Sequence, residues 1–140
     1  GVGAARIEGQ TARVSTATAA RLACGGGYVP VLFDESRPLD VGRSERLFTA
    51  RQRTALAARD GGCLFPECDR PPSWCEAHHI DFWARDEGRT DIARGVLLCR
   101  HHHMLMHNNG WEVREAAGEY TFIPPTSIDP RQVPIPAQRR

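Results

Sequence analysis

A chain of 140 residues is one ordinary domain, or a small domain with extensions. Its 41% hydrophobic and 25% charged residues are normal for a soluble globular protein, and apolar runs of only a few residues exclude a membrane span. A net charge of +1 excludes nucleic-acid binding by bulk charge alone and leaves room for a local basic surface.

The first ten residues, GVGAARIEGQ, have no basic region followed by an apolar core, so no signal peptide is expected. They also lack an initiating Met, which suggests a piece of a longer chain; the expected location is cytoplasmic. Residues 11–23 have helical composition, with Gly25-Gly26-Gly27 as the expected stop. Tyr28–Phe33 and Leu39–Val41 are β-prone runs around a turn, a small hairpin. Thr49-Ala50-Arg51-Gln52 is a capping-box pattern, so a helix is predicted from there to Gly61-Gly62. Its Arg51, Arg53 and Arg59 are expected to face solvent or phosphate. Residues 63–75 hold Cys63, Cys68 and Cys75 among three prolines, a loop or zinc knuckle. Glu76–Ile80 leads into a loop over 81–90. Gly95–Cys99 reads as a short buried strand and Arg100–His107 as a short helix stopped by Asn108-Asn109-Gly110. Trp111–Val113 and Tyr120–Ile123 form a predicted hairpin turning near Gly118. Residues 124–140 carry five prolines and little apolar content, which reads as a flexible tail. The domain reading is an N-terminal extension over 1–44, a functional domain over 45–123 and a Pro-rich tail over 124–140.

All six histidines lie between His78 and His107, and four of the five cysteines lie between Cys63 and Cys99. An odd cysteine count without a secretion signal favours metal ligands or buried thiols over disulfides. All the basic residues are arginine, which codon usage in a GC-rich genome explains more simply than dedicated phosphate binding.

On a helix, Cys99 and His102 are three apart and His103 and His107 four apart, so each pair shares a face. His102 and His103 differ by about 100° of rotation, so the two pairs point different ways and one helix feeds two metal sites. Cys63 and Cys68 complete the first with Cys99 and His102, a three-thiolate, one-imidazole set typical of structural zinc. Cys75 is the spare, as an alternative ligand or a buried thiol. For the second site, His78 and His79 are adjacent in an extended segment and point in opposite directions. One of them joins His103 and His107, and the other stays beside the metal as a base. Three protein ligands with open positions suit a catalytic ion. His101 reads as a surface histidine.

The run CLFPEC, CEAHHI and GVLLCRHHHMLMHNNGW resembles the HNH (His-Me finger) endonucleases over about residues 45–113. It looks most like the actinobacterial HNH proteins in which the module follows a helical region of unknown function. The resemblance implies an α+β protein with a ββα-metal core at about Trp74–Ile80, Gly95–Cys99 and Arg100–His107. By position, His79 resembles the general base, and His78, His103 and His107 the catalytic metal ligands. Cys63, Cys68, Cys99 and His102 resemble the family's structural zinc group. The family's asparagine position holds Arg94, which cannot accept a hydrogen bond as an amide can. Arg94 and Arg100 are candidate substrate contacts.

The expected activity is hydrolysis of DNA phosphodiesters, with 5′-phosphate and 3′-hydroxyl products implied by the resemblance. A neutral His79 would activate water, and the ion would stabilise charge at the phosphate and leaving oxygen. The expected cofactors are structural Zn²⁺ and one catalytic divalent ion, Zn²⁺, Ni²⁺, Mn²⁺ or Mg²⁺. The expected partner is DNA, with no membrane. The alternative is a non-catalytic zinc module that binds nucleic acid or protein.

Overall fold

The computed structural model describes residues 5–7, 12–26, 47–81 and 90–138. Among the described residues the elements are α+β, with three α-helices and small antiparallel sheets. The hairpin expected over 28–41 and most of the loop expected over 81–90 fall outside the described residues.

Near the N-terminus, β1 (Ala5–Arg6) pairs antiparallel with β2 (Arg13–Val14), and α1 spans Thr16–Gly26. This corrects the helix expected over 11–23. Ser15 caps the start, since its Oγ accepts the Thr18 N–H at 3.1 Å. Gly25 and Gly26 lie inside the helix rather than beyond it.

Helix α2 (Ala50–Asp60) starts and stops where its local signals place it. Thr49 Oγ1 accepts from Gln52 N and Gln52 Oε1 accepts from Thr49 N, which closes the capping box. Gly61 ends the helix with a left-handed φ of 70° that disfavours a side chain. The buried face is Gln52, Ala55, Leu56 and Asp60, the spacing of one helix side.

Strands β3 (Cys75–His79) and β4 (Gly95–Cys99) pair antiparallel in a register running from Cys75 opposite Cys99 to His79 opposite Gly95. Single 3₁₀ turns at Pro72–Trp74 and Ile92–Arg94 lead into them, so Trp74 lies outside the strand. All five residues of β4 are buried, because both faces of this hairpin are covered. Leu97 packs with Phe48 and Leu56 on the α2 side. Val96 and Leu98 pack on the other side with Met106 of α3, which spans Arg100–Asn108. Alternation along β3 therefore puts His78 on the α3 side, across from Val96, and His79 on the α2 side, across from Gly95.

Two further corrections concern residues expected at the surface. Arg59 does not face solvent or phosphate. It donates to Asp60 Oδ1 at 2.7 Å, to the carbonyls of Ile92 (2.7 Å) and Gly95 (2.6 Å), and to Tyr120 Oη at 3.0 Å. Asp60 Oδ2 in turn accepts the Leu97 N–H at 2.9 Å, so the pair rivets α2 to β4.

Nor is 124–138 a detached tail. Strand β5 (Glu112–Ala116) pairs with β6 (Glu119–Ile123) through a two-residue turn, Ala117-Gly118, with both φ positive. The chain then returns as β7 (Ile135–Pro136) along the free side of β6. Proline suits that edge, because it has no N–H to offer the ladder. Beyond β7, Gln138 Nε2 donates to the carbonyls of Cys63 and Cys68, each at 2.6 Å. Among the described residues, no helix is long and apolar enough to cross a membrane.

Candidate metal centres

The cysteine loop is shaped before any ion is considered. Pro66 and Glu67 occupy the middle of a turn in which Cys68 N–H donates to the Phe65 carbonyl at 3.1 Å. Glu67 has φ 66°, a left-handed residue following a proline as in a type II turn. Cys63 N–H donates to Arg70 O and Leu64 N–H to Leu97 O, which anchors the loop against β4. The turn aims Cys63 and Cys68 at the start of α3, where Cys99 and His102 lie three residues apart.

The ligand atoms of Cys63, Cys68, Cys99 and His102 all lie within 4.8 Å of one another. Cys68 Sγ is 3.9 Å from Cys99 Sγ. His102 Nδ1 is 3.4 Å from Cys63 Sγ and 3.2 Å from Cys99 Sγ. A tetrahedral zinc ion requires about 3.8 Å between sulfurs and about 3.6 Å between sulfur and nitrogen. The donors therefore stand close to a tetrahedron, and a metal such as zinc fits them. Phe65 stacks on the His102 ring at 4.0 Å and 7°, fixing its plane. Burial pushes the Cys63 thiol up; backbone N–H groups of Cys99 and Phe65 oppose this, and the charges of the neighbouring Cys99 and Cys68 add to it. Ion binding must expel those thiol protons, so affinity here rises with pH. Cys75 is not in the group; its Sγ contacts the carbonyls of Pro71 (3.3 Å) and Arg70 (3.7 Å).

The second cluster is His78, His103 and His107, again with ligand atoms within 4.8 Å of one another. His78 is buried at 2% exposure, and its ring meets the other two edge-on at 5.0 and 5.2 Å between centroids. Burial, then the His103, His107 and His79 rings, hold His78 down at about 3. It is therefore neutral near pH 7, the form that ligates metals. Burial also lowers His107 and His102. His103 Nδ1–H donates to Glu76 Oε2 at 2.5 Å, so the nitrogen left to face the cluster is Nε2. That Nε2 lies 3.0 Å from His107 Nε2, near the roughly 3.3 Å of two nitrogens on one tetrahedral ion.

The sequence singles out no role for Glu76, although it shares a strand face with His78 by period two. Its carboxylate orients His103, the outer-shell support that metal-bound histidines usually have. Arg100, 80% exposed at its side chain, is 3.9 Å from Glu76. His101 is exposed.

His79 lies on the opposite strand face from His78. Its Nε2 is 2.9 Å from Thr90 Oγ1 and its ring packs on Phe48 at 4.5 Å. Arg94, a candidate substrate contact, is engaged within the protein. Its guanidinium donates to Asp81 at 2.8 Å and to Glu115 at 3.1 Å, and its carbonyl accepts the Ile80 N–H at 3.1 Å. Both ends of the residue tie down the chain that leaves β3 just after His79.

No known family profile matches the chain, and no solved structure matches it. It is similar to the uncharacterized protein Rv1945 of Mycobacterium tuberculosis, 34% identical over 124 residues, which are 88% of this chain and 27% of that protein. The uncharacterized protein Mb1179c of Mycobacterium bovis matches with the same identity and coverage. The uncharacterized protein Rv1128c of M. tuberculosis is 36% identical over 110 residues, 78% of this chain and 24% of that protein. The chain thus spans about a quarter of the length of these curated relatives.

Proposed function

We propose that this chain is a metal-dependent DNA endonuclease of the HNH type, with β3, β4 and α3 as its ββα-metal core. The observation that carries the reading is the separation of two histidine roles at the end of one strand. His78 converges with His103 and His107 on a site that suits a divalent ion, while the adjacent His79 is held apart from the ligand set. Three imidazoles leave coordination positions open, unlike the closed thiolate group.

In this reading the neutral form of His79 takes the proton from the attacking water. His78, His103 and His107 hold the ion, and Glu76 keeps the His103 lone pair aimed at it. The bound ion supplies charge stabilisation at the phosphate. Arg94 takes the place of the family's asparagine by another route. Its backbone carbonyl and its ion pair with Asp81 hold the segment after the base, where an amide would use its own two hydrogen bonds. Cys63, Cys68, Cys99 and His102 hold a structural zinc.

Chelated protein resupplied with Mn²⁺, Mg²⁺, Ni²⁺ or Zn²⁺ should nick supercoiled plasmid. His79→Ala should lower the rate by about 100-fold or more, the usual weight of a general base. Equal nicking by wild type and His79→Ala would end the reading. A non-catalytic zinc module is the second reading, favoured by the net charge of +1 and by Arg94 being held in ion pairs. Metal analysis separates the two: two ions per chain support the nuclease, one the zinc module.

A further inference from the structure

His79 is gripped by groups that the nuclease reading does not use. Thr90 Oγ1 lies 2.9 Å from its Nε2, and Thr90 is wholly buried. The Thr90 carbonyl accepts from Gln52 Nε2 at 2.8 Å. Gln52 is also wholly buried, and its Oε1 accepts the Thr49 N–H at 2.9 Å in the capping box of α2. A continuous hydrogen-bonded chain therefore runs from the first turn of α2 through Thr90 to the His79 ring. Phe48, the residue before the helix cap, packs against that ring. Capping alone requires no second contact from Gln52, and a buried threonine is commonly satisfied by local backbone. Here both side chains reach across the fold, over 38 residues from Gln52 to Thr90 and 11 from His79 to Thr90.

We propose that Thr90 is a positioning residue for His79, braced by Gln52, which anchors Nε2 and turns Nδ1 toward the substrate. The proposal rests on the nuclease reading and adds to it a brace that lies outside β3, β4 and α3. A histidine ring has a broad torsional minimum about χ2, so one anchored nitrogen sets the direction of the other. Outer-shell groups of this kind commonly contribute about 10–100-fold to activity.

Thr90→Val keeps the shape and removes the hydroxyl, whereas Thr90→Ser keeps the hydroxyl. With Mn²⁺ and a DNA substrate, Thr90→Val should lower kcat by about 10–100-fold with KM within about twofold, and Thr90→Ser should regain most of the loss. A Thr90→Val kcat within about twofold of wild type overturns the proposal, as does a loss that Thr90→Ser fails to restore. If Thr90→Val does not fold by circular dichroism, the smaller Thr90→Ala makes the same comparison with Thr90→Ser. Proton NMR of the full chain gives a readout without cleavage. Wild type should show an exchange-protected proton in the His79–Thr90 hydrogen bond, absent from Thr90→Val. A wild type with that proton but no cleavage under any metal rejects the nuclease reading and keeps the anchoring of His79. A wild type without it rejects the anchoring, whatever the cleavage.

Discussion

Gly95 passes directly beneath Phe48, and replacing it with alanine should destabilise the protein. A Cβ there would lie 2.4 Å from Phe48 Cζ and 2.8 Å from Cε1. Ordinary carbon contacts begin near 3.4 Å, so the ring must retreat by about 1 Å. It has little space to do so. Phe48 is 4% exposed, packs with Leu56 and Leu97, and lies against His79. Overpacking of this kind costs about 1–3 kcal/mol. In a domain of this size each kcal/mol corresponds to roughly 3–5 °C of Tm, so Gly95→Ala should melt several degrees lower. Phe48→Leu removes the ring tip that clashes. The double variant should therefore be more stable than the two single losses added together, by about 0.5 kcal/mol or more. Urea unfolding followed by circular dichroism measures all three. A Gly95→Ala variant within about 0.5 kcal/mol of wild type, or strict additivity, would refute this packing between β4 and the start of α2.

Two other outcomes follow from the described contacts. Without metal, stability should fall as pH drops from 6.5 toward 3, because His78 is held at about 3 against an ordinary 6.5 and the unfolded chain binds the proton first. The contribution is complete above 6.5 and is lost below it at about 1.4 kcal/mol per pH unit, so in EDTA the His78→Gln variant should show a flatter urea-measured slope than wild type; equal slopes contradict the burial of that ring. Gln138→Ala removes the donor to two loop carbonyls and should cost about 1–3 kcal/mol, read from the urea midpoint. An unchanged midpoint would mean that the C-terminal segment does not brace the cysteine loop.

Much of this arrangement is legible in the sequence where the signal is local. The capping box at Thr49 and Gly61 bound α2 because each residue acts on backbone within four positions. The pairing of Cys99 with His102 and of His103 with His107 is readable because helix geometry fixes the faces. Adjacent His78 and His79 diverge for the same reason in a strand. What is not legible depends on partners distant in sequence. Arg51, Arg53 and Arg59 look alike in composition, and only the far carbonyls of Ile92 and Gly95 make Arg59 a rivet. Thr90 carries no motif and the capping box of Gln52 does not announce its second contact, so the link between them appears only when α2 lies against the segment leading into β4. The C-terminal segment reads as disordered because prolines and scarce apolar residues promise little burial. It is ordered instead by the free edge of β6 and by the Cys63 and Cys68 carbonyls. At α1 the threonines and Ser15 offer several capping positions, and pairing of Arg13 and Val14 with β1 decides among them.

The two clusters also bear on each other, because one nine-residue helix carries ligands for both. His102 and His103 are neighbours on α3, so the rotation of the helix that seats His102 Nδ1 among the thiolates also sets the aim of His103 and His107. An ion in the thiolate group would fix that rotation through Cys99 at the helix start and His102 one turn later. Packing of Met106 fixes it only partly, because a thioether side chain adapts to small rotations. Cys63→Ser should therefore weaken metal binding at the three-histidine site, which it does not touch. A site whose ligands drift beyond about 10–20° loses productive geometry, so a loss of about tenfold or more is expected. Titration of the metal-stripped variant with Mn²⁺, alongside stripped wild type reloaded with one equivalent of Zn²⁺, measures the difference. Equal Mn²⁺ affinities would mean that packing alone holds α3, and that the thiolate group stabilises its own loop without aiming the histidines.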